Sequence, residues 1–413
     1  MKQRRVVITG MGLVTSLGEN VDEVWDKLCA GQSGIGAVTR FNLDDFPVRF
    51  GGECSKFDVG NYGVDVKDAR RLDRFGQFGL AASVSAVNDS GIDFSKEDPY
   101  KCGVLIGSGI GGIETLEEQN FILTSRNVTR VSPFTVPRLM VNAASGNVSI
   151  RYGIKGPNTA VVTACATGSN AIGDAGKLIE YGKADVMLAG GSEAALCRLG
   201  LASFIAARAL STRNDDPTRA SRPWDKGRDG FVMGEGAGVV MLEEYEHAVK
   251  RGAKIYAELA GYGMSADANH ITAPCADGEG ASMAMDLAIQ DAGINRDQIA
   301  YINAHGTSTG LGDVAETKAV KKTFGADAKR LALSSTKSQL GHLLGASGGI
   351  EAIFAALSVQ RNMIPPTINL DDPDDECDLD YTAHRAKDLK IDYALSNSFG
   401  FGGHNASLLI KKI

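Results

Sequence analysis

PNTAVVTACATGSNAIGDAGKLIEYG, residues 157–182, is the stretch from which the fold can be read. Its first part, TAVVTA (159–164), reads as a buried strand. Residues 166–181 read as a helix of small side chains. Cys165 therefore falls at a strand-to-helix junction, on the first helical turn. Unpaired backbone N–H groups and the positive end of the helix dipole favour a thiolate there. Gly168, Gly173 and Gly176 lie inside the helix, each costing about 1 kcal/mol relative to alanine. A surface helix has little use for them, so this helix should lie deep, against other backbone. On this segment alone, a structural cysteine and a reactive thiol are both open readings.

The pattern repeats outward along the chain. VVITGMG (6–12), CGVLIGSG (102–109) and ADVMLAGGSE (184–193) are short apolar runs ending in or near glycine. GEGAGVVMLEEYEHAVKRG (234–252) reads as a strand running into a helix. IYAELAGYGMSAD (255–267), IAYINAHGTST (299–309), LALSSTKSQLGH (331–342) and DYALSNSFGFGGHNASLLIKK (392–412) continue the style. Strands alternating with helices indicate an α/β fold with buried sheets. The halves also echo each other. GEGAGVVMLEE (234–244) matches GFGGHNASLLIKK (400–412), and the helix after Cys165 has a counterpart in GASGGIEAIFAALSVQ (345–360). Two such helices suit a central layer between two sheets, and the halves are expected at 1–252 and 253–413.

Bulk properties narrow the function classes. With 413 residues, 43% apolar and 23% charged, the chain has the make-up of a soluble globular protein. A net charge of −7 argues against a general nucleic-acid binder. Seven scattered cysteines (29, 54, 102, 165, 197, 275, 377) form no C-x-x-C pair. That fits free thiols in a reducing cytoplasm rather than a disulfide framework or zinc site. The apolar run after MKQRR breaks at Gly10, which favours a core strand over a signal peptide. No run approaches the length of a membrane span.

Chemistry concentrates at strand ends. Only six histidines occur. His305 in NAHGTSTGLGD and His342 in TKSQLGHLLGASGG follow strand candidates and sit beside Gly, Ser and Thr, a setting suited to proton transfer or hydrogen-bond donation. His247, His270 and His384 read as ordinary polar residues in loops. Lys337 precedes His342 by five residues; a surface lysine and burial beside the site are both open readings, its place after an apolar strand and before a loop of small residues favouring burial. Ligands in α/β folds gather at the carboxyl ends of strands, so Cys165, His305, Lys337 and His342 form one candidate set. GSGIGG (107–112) fits G-x-G-x-x-G, but no acidic residue follows at the spacing a dinucleotide fold needs. The acidic run DDPDDECDLD (371–380) lacks the spacing and glycine of a calcium loop and reads as a solvated turn.

TACATGSNAIGDA, NAHGTSTGLGD, STKSQLGHLLGASGGIEA and NSFGFGGHNASL together resemble the condensing enzymes of the thiolase superfamily. The likeness runs from RRVVITGMGLVTSLG to the C-terminus and is closest to the β-ketoacyl-acyl-carrier-protein synthase II group of bacterial fatty acid synthesis. It implies a five-layered αβαβα fold, with mixed sheets around central helices. It also implies an acyltransferase that performs a decarboxylative Claisen condensation without a cofactor. Cys165 would take the acyl group. The backbone N–H groups of Cys165 and Phe401 would hold the acyl oxyanion. His305 and His342, neutral and donating through Nε2, would stabilise the enolate of malonyl-acyl-carrier protein, and Lys337 would support that field.

The resemblance implies further contacts. Thr307 and Thr309 would bind the phosphopantetheine arm. Gly400 would contact the substrate, Phe401 would act as a gate, Ile110 and Phe204 would line the acyl tunnel, and part of 131–140 would close a partner's tunnel in a homodimer; an aromatic plug for Phe401 and ordinary core packing for the apolar tunnel residues are the competing readings. Lys67, Arg70, Arg71, Arg130 and Arg208 would dock the acidic carrier protein. For the segment 65–74, a solvated helix with local ion pairs is the competing reading. Asn303, Glu351, Ser396 and Asn397 match a polar cluster that sometimes holds a structural monovalent cation in relatives. A polyketide-type ketosynthase shares the Cys-His-His set. A non-catalytic chain-length partner usually lacks the nucleophile, so Cys165 argues against that role.

Overall fold

The structure, a computed structural model, describes residues 4–413. Ten strands form the main sheet: β1 (Val6–Val14), β2 (Cys102–Gly107), β3 (Asn158–Thr159), β4 (Val186–Glu193), β5 (Gly236–Glu244), β6 (Ala257–Ala266), β7 (Tyr301–Asn303), β8 (Ala332–Ser334), β9 (Tyr393–Gly400) and β10 (His404–Lys411). Their order is β8-β7-β9-β10-β6-β1-β5-β4-β2-β3. The first five strands and the last five follow the same order, and the directions agree. β2 lies parallel to β3 and β4, while β4–β5 and β5–β1 are antiparallel. In the second half β7 lies parallel to β8 and β9, while β9–β10 and β10–β6 are antiparallel. The echo between 234–244 and 400–412 is thus an equivalence of β5 with β10. The two half-sheets are joined edge to edge, because β1 and β6 pair over three residues, Val6–Ile8 against Ala257–Leu259.

Helices complete five layers. α1 (Arg74–Ser90) and α2 (Ala143–Tyr152) cover the first half-sheet outside, and α5 (Glu279–Ala292) and α6 (Gly310–Phe324) cover the second. Between the sheets lie α3 (Thr167–Glu180) and α7 (Ser347–Arg361). α7 is buried from Ser347 to Val359, as an all-round apolar helix must be. The glycines let the central pair touch. A Cβ on Gly168 would lie 2.5 Å from the Gly349 nitrogen, and one on Gly348 would lie 2.4 Å from the Ser169 nitrogen. α1 starts under the Asp73 cap and stops at Gly91, whose φ of 63° closes the last turn.

TAVVTA departs from expectation. Only Asn158 and Thr159 pair as strand, at the sheet edge, and Val162 is exposed. β-branched residues suit a strand, but among the described residues no strand lies beyond β3 to pair with them. The other strand expectations hold, with β7 and β8 reduced to three residues each.

Candidate active site

Cys165 lies in a tight turn, Ala164–Ala166, that feeds α3. Ala164 carries a φ of 50°, an uncommon conformation for a residue with a side chain. The thiol opens into a cavity of about 230 Å³. His305, two residues past β7, and His342, past β8 and the short helix Lys337–Leu340, line the same cavity. Their rings meet edge to face with centroids 5.3 Å apart. Thr307, Thr309, Ile110, Phe204, Gly400 and Phe401 are among its other lining residues.

The electrostatics favour neutral groups at rest. Burial pushes the Cys165 thiol up to about 12; the Phe401 N–H and the Lys337 charge oppose this only in part, and Glu193 adds to it. The expected thiolate bias of the helix start is therefore outweighed by desolvation. Both histidines fall well below their ordinary value, chiefly through burial, with the Lys337 ammonium adding to the effect. His342 Nδ1 lies 3.0 Å from Ser347 Oγ, and its Nε2 is buried without a partner. A Ser347 hydroxyl donating to Nδ1 would place the ring proton on Nε2. The His305 loop is held by Glu316, which accepts from the His305 N–H at 2.9 Å and the Gly306 N–H at 2.8 Å.

Lys337 is buried but does not line the cavity; its ammonium is paired with Glu351. Asn303 Oδ1, Glu351 Oε2 and Ser396 Oγ are buried oxygens with no hydrogen-bond partner. Asn303 and Ser396 are register partners on β7 and β9. The Asn397 side chain does not belong to that set: its Oδ1 accepts from Ser407 and its Nδ2 faces Glu316 and Met285.

The five cationic residues are all exposed, and none lines the cavity. Lys67 lies on the short helix Val66–Ala69, with Arg70 and Arg71 directly after it. Arg71 pairs with Asp68 at 3.1 Å, as the solvated-helix reading anticipates, and lies over the Phe134 ring. Arg130 ends the turn Val128–Arg130, and Arg208 follows the helix α4 (Arg198–Ala206), which carries Phe204.

His247, expected in a loop, instead lies on the helix Tyr245–Lys250 and bridges Glu243 and Glu97. Glu316, Asp313, Ser347 and Glu193 escaped the sequence reading. Asp313 and Glu316 follow NAHGTSTG three residues apart on one face of α6, a signal that spacing could have supplied.

Two family sequence models match the chain: "Beta-ketoacyl synthase, N-terminal domain" over residues 3–248 and "Beta-ketoacyl synthase, C-terminal domain" over residues 256–371. The chain belongs to the beta-ketoacyl synthases. Among its relatives in that family are the 3-oxoacyl-[acyl-carrier-protein] synthases 2 of Vibrio harveyi and of Synechocystis sp. Each is 52% identical over the whole of this chain, with 100% and 99% of the relative covered. A beta-ketoacyl synthase structure from Burkholderia phymatum is 40% identical, with a TM-score of 0.91 over 99% of this chain and all of that one. A type II polyketide ketosynthase, solved with its acyl-carrier protein and a bound hexaketide, is 34% identical with a TM-score of 0.93 over the full length of both chains.

Proposed function

We propose that this synthase elongates fatty acyl chains by decarboxylative Claisen condensation. The observation that carries the proposal is the single cavity in which the Cys165 thiol, the Phe401 N–H and two neutral imidazoles converge. In the first half-reaction Cys165 attacks the acyl thioester of an acyl-carrier protein. Phosphopantetheine leaves as the thiol, taking a proton, and the acyl group stays on sulfur. The Cys165 and Phe401 N–H groups hold the oxyanion of the tetrahedral intermediate. In the second, malonyl-acyl-carrier protein loses CO2. His305 and His342, as donors, stabilise the enolate oxygen, whose α-carbon attacks the Cys165 thioester. Collapse expels the Cys165 thiolate, which regains a proton. The product is a β-ketoacyl-acyl-carrier protein two carbons longer.

Other groups support these steps. Ser347 fixes the His342 tautomer, and Lys337 acts through the field and through Glu351. Asn303, Glu351 and Ser396 would hold a structural monovalent cation, which would screen the buried Glu351 charge. Thr307 and Thr309, whose hydroxyls lie 3.0 Å apart, bind the phosphopantetheine arm. Gly400 lets the chain pass close to the nucleophile's turn, since a Cβ there would come 2.9 Å from the Cys165 nitrogen, and Phe401 beside it acts as the gate. Arg208, four residues beyond Phe204, is the first choice for carrier docking, with Lys67, Arg70, Arg71 and Arg130 as an outer set.

The active form is a homodimer in the cytoplasm. Supporting this are the exposed apolar side chains Phe121, Val128, Phe134, Val136 and Met140 and the unpaired edge of β3. Seven free thiols fit a reducing compartment, and among the described residues no helix is long and apolar enough to cross a membrane. The two halves, 1–252 and 253–413, act as one catalytic unit. The 52% identity to the 3-oxoacyl-[acyl-carrier-protein] synthases 2, against 34% to the polyketide enzyme, favours the fatty acid reading. Purified protein given acyl- and malonyl-carrier protein should release CO2 and a β-ketoacyl product. Acyl hydrolysis without CO2 release would contradict the proposal.

A further inference from the structure

Glu193, the last residue of β4, is fully buried and borders the Cys165 cavity without a cation on its carboxylate. Four donors converge on it. Ser108 Oγ donates to Oε1 at 2.7 Å and the Ile110 N–H to Oε1 at 3.2 Å. The Gly109 N–H donates to Oε2 at 2.7 Å and the Gly345 N–H to Oε2 at 3.0 Å. Two amides of the G-S-G-I-G-G loop, those of Gly109 and Ile110, are thus spent on the Glu193 carboxyl, which burial pushes up while these donors, with Ser108 and Gly345, oppose it. Two chain segments meet there: a Cβ on Gly345 would lie 2.3 Å from the Gly109 nitrogen.

The internal repeat gives this contact a meaning. The turn Leu344–Ala346 before α7 matches Ala164–Ala166 before α3, with φ of 50° at both Leu344 and Ala164. Gly345 is therefore the counterpart of Cys165, and the end of β4 is the counterpart of the end of β9, beside Phe401. At the catalytic turn the Phe401 N–H instead meets the Cys165 thiol. In the other half the equivalent N–H is filled permanently by Glu193.

We propose that Glu193 is a positioning residue for acyl-chain selectivity: by clamping Ser108–Ile110 to Gly345 it fixes the Ile110 wall of the tunnel. This rests on Cys165 being the acyl acceptor. All four partners donate to Glu193, so glutamine cannot replace it, because its amide nitrogen would face N–H groups. Acyl chains long enough to press on Ile110 feel the loosened wall; short ones do not.

The test measures kcat/KM for butyryl- and dodecanoyl-carrier protein with wild type and Glu193→Gln, with intact mass confirming acylation of Cys165. Glu193→Gln should change the long-to-short ratio by about tenfold or more, as expected from losing charge-assisted hydrogen bonds at one wall. An unchanged ratio, including an equal loss at both lengths, overturns the proposal. If Glu193→Gln does not fold, Ser108→Ala removes one donor and should lower the long-to-short ratio by a smaller factor; no shift overturns it equally. Wild type that takes neither acyl group would instead refute the acyl-acceptor reading beneath it.

Discussion

At the residue scale, the reaction depends on uncharged groups brought together by burial. The thiol, pushed to about 12, gains thiolate only as pH rises. Iodoacetamide alkylation of Cys165 should therefore climb about tenfold per pH unit from neutral into alkaline solution without levelling. A plateau near about pH 7 would mean that the N–H groups outweigh desolvation after all. The proposed mechanism assigns His342 to the second half-reaction. His342→Ala should keep acyl transfer yet lose at least about a hundredfold in condensation, the scale of removing one oxyanion donor. Equal losses in both steps, measured by single-turnover kinetics, would deny that division. The identities of Cys165, His305, Lys337 and His342 were legible because each sits in a long local motif. Glu193 was not, since its partners at 108–110 and 345 come from distant segments and only folding joins them.

At the element scale, the packing of α3 on α7 sets where the thiol stands. Gly168→Ala would force backbone apart at the Gly349 nitrogen, so it should lower stability by about 1–3 kcal/mol, visible in thermal unfolding. Gly146→Ala is the control. Gly146 lies in α2 with nothing within 4 Å of an added Cβ, so the exchange should be neutral or stabilising by up to about 1 kcal/mol. Similar losses at both sites would argue against the close helix contact. The glycines inside the 166–181 pattern foretold that contact. The TAVVTA run misled because β-branched residues signal extended chain but not whether a neighbouring strand exists to pair with it.

At the scale of the whole molecule, distant segments are tied by charge as well as by core. His247 is raised to about 9, first by Glu243 and then by Glu97, against an unfolded value near 6.5. A raised folded value means that its contribution is complete below about pH 6.5 and is lost as pH climbs through about 9. Thermal unfolding followed across that window should show a falling midpoint, and His247→Gln should flatten the fall. An undiminished fall in the variant would place its cause elsewhere. The duplication itself was legible as pattern, in the echo of 234–244 by 400–412. The edge-to-edge joining of the half-sheets through β1 and β6 was not, because three paired residues leave no mark in composition.

The central claim is that Cys165 carries the growing chain. Intact-protein mass spectrometry after incubation with acyl-carrier protein tests it most directly. Wild type should gain the mass of one acyl group, and Cys165→Ala should gain none. An equal gain in the alanine variant would contradict the account.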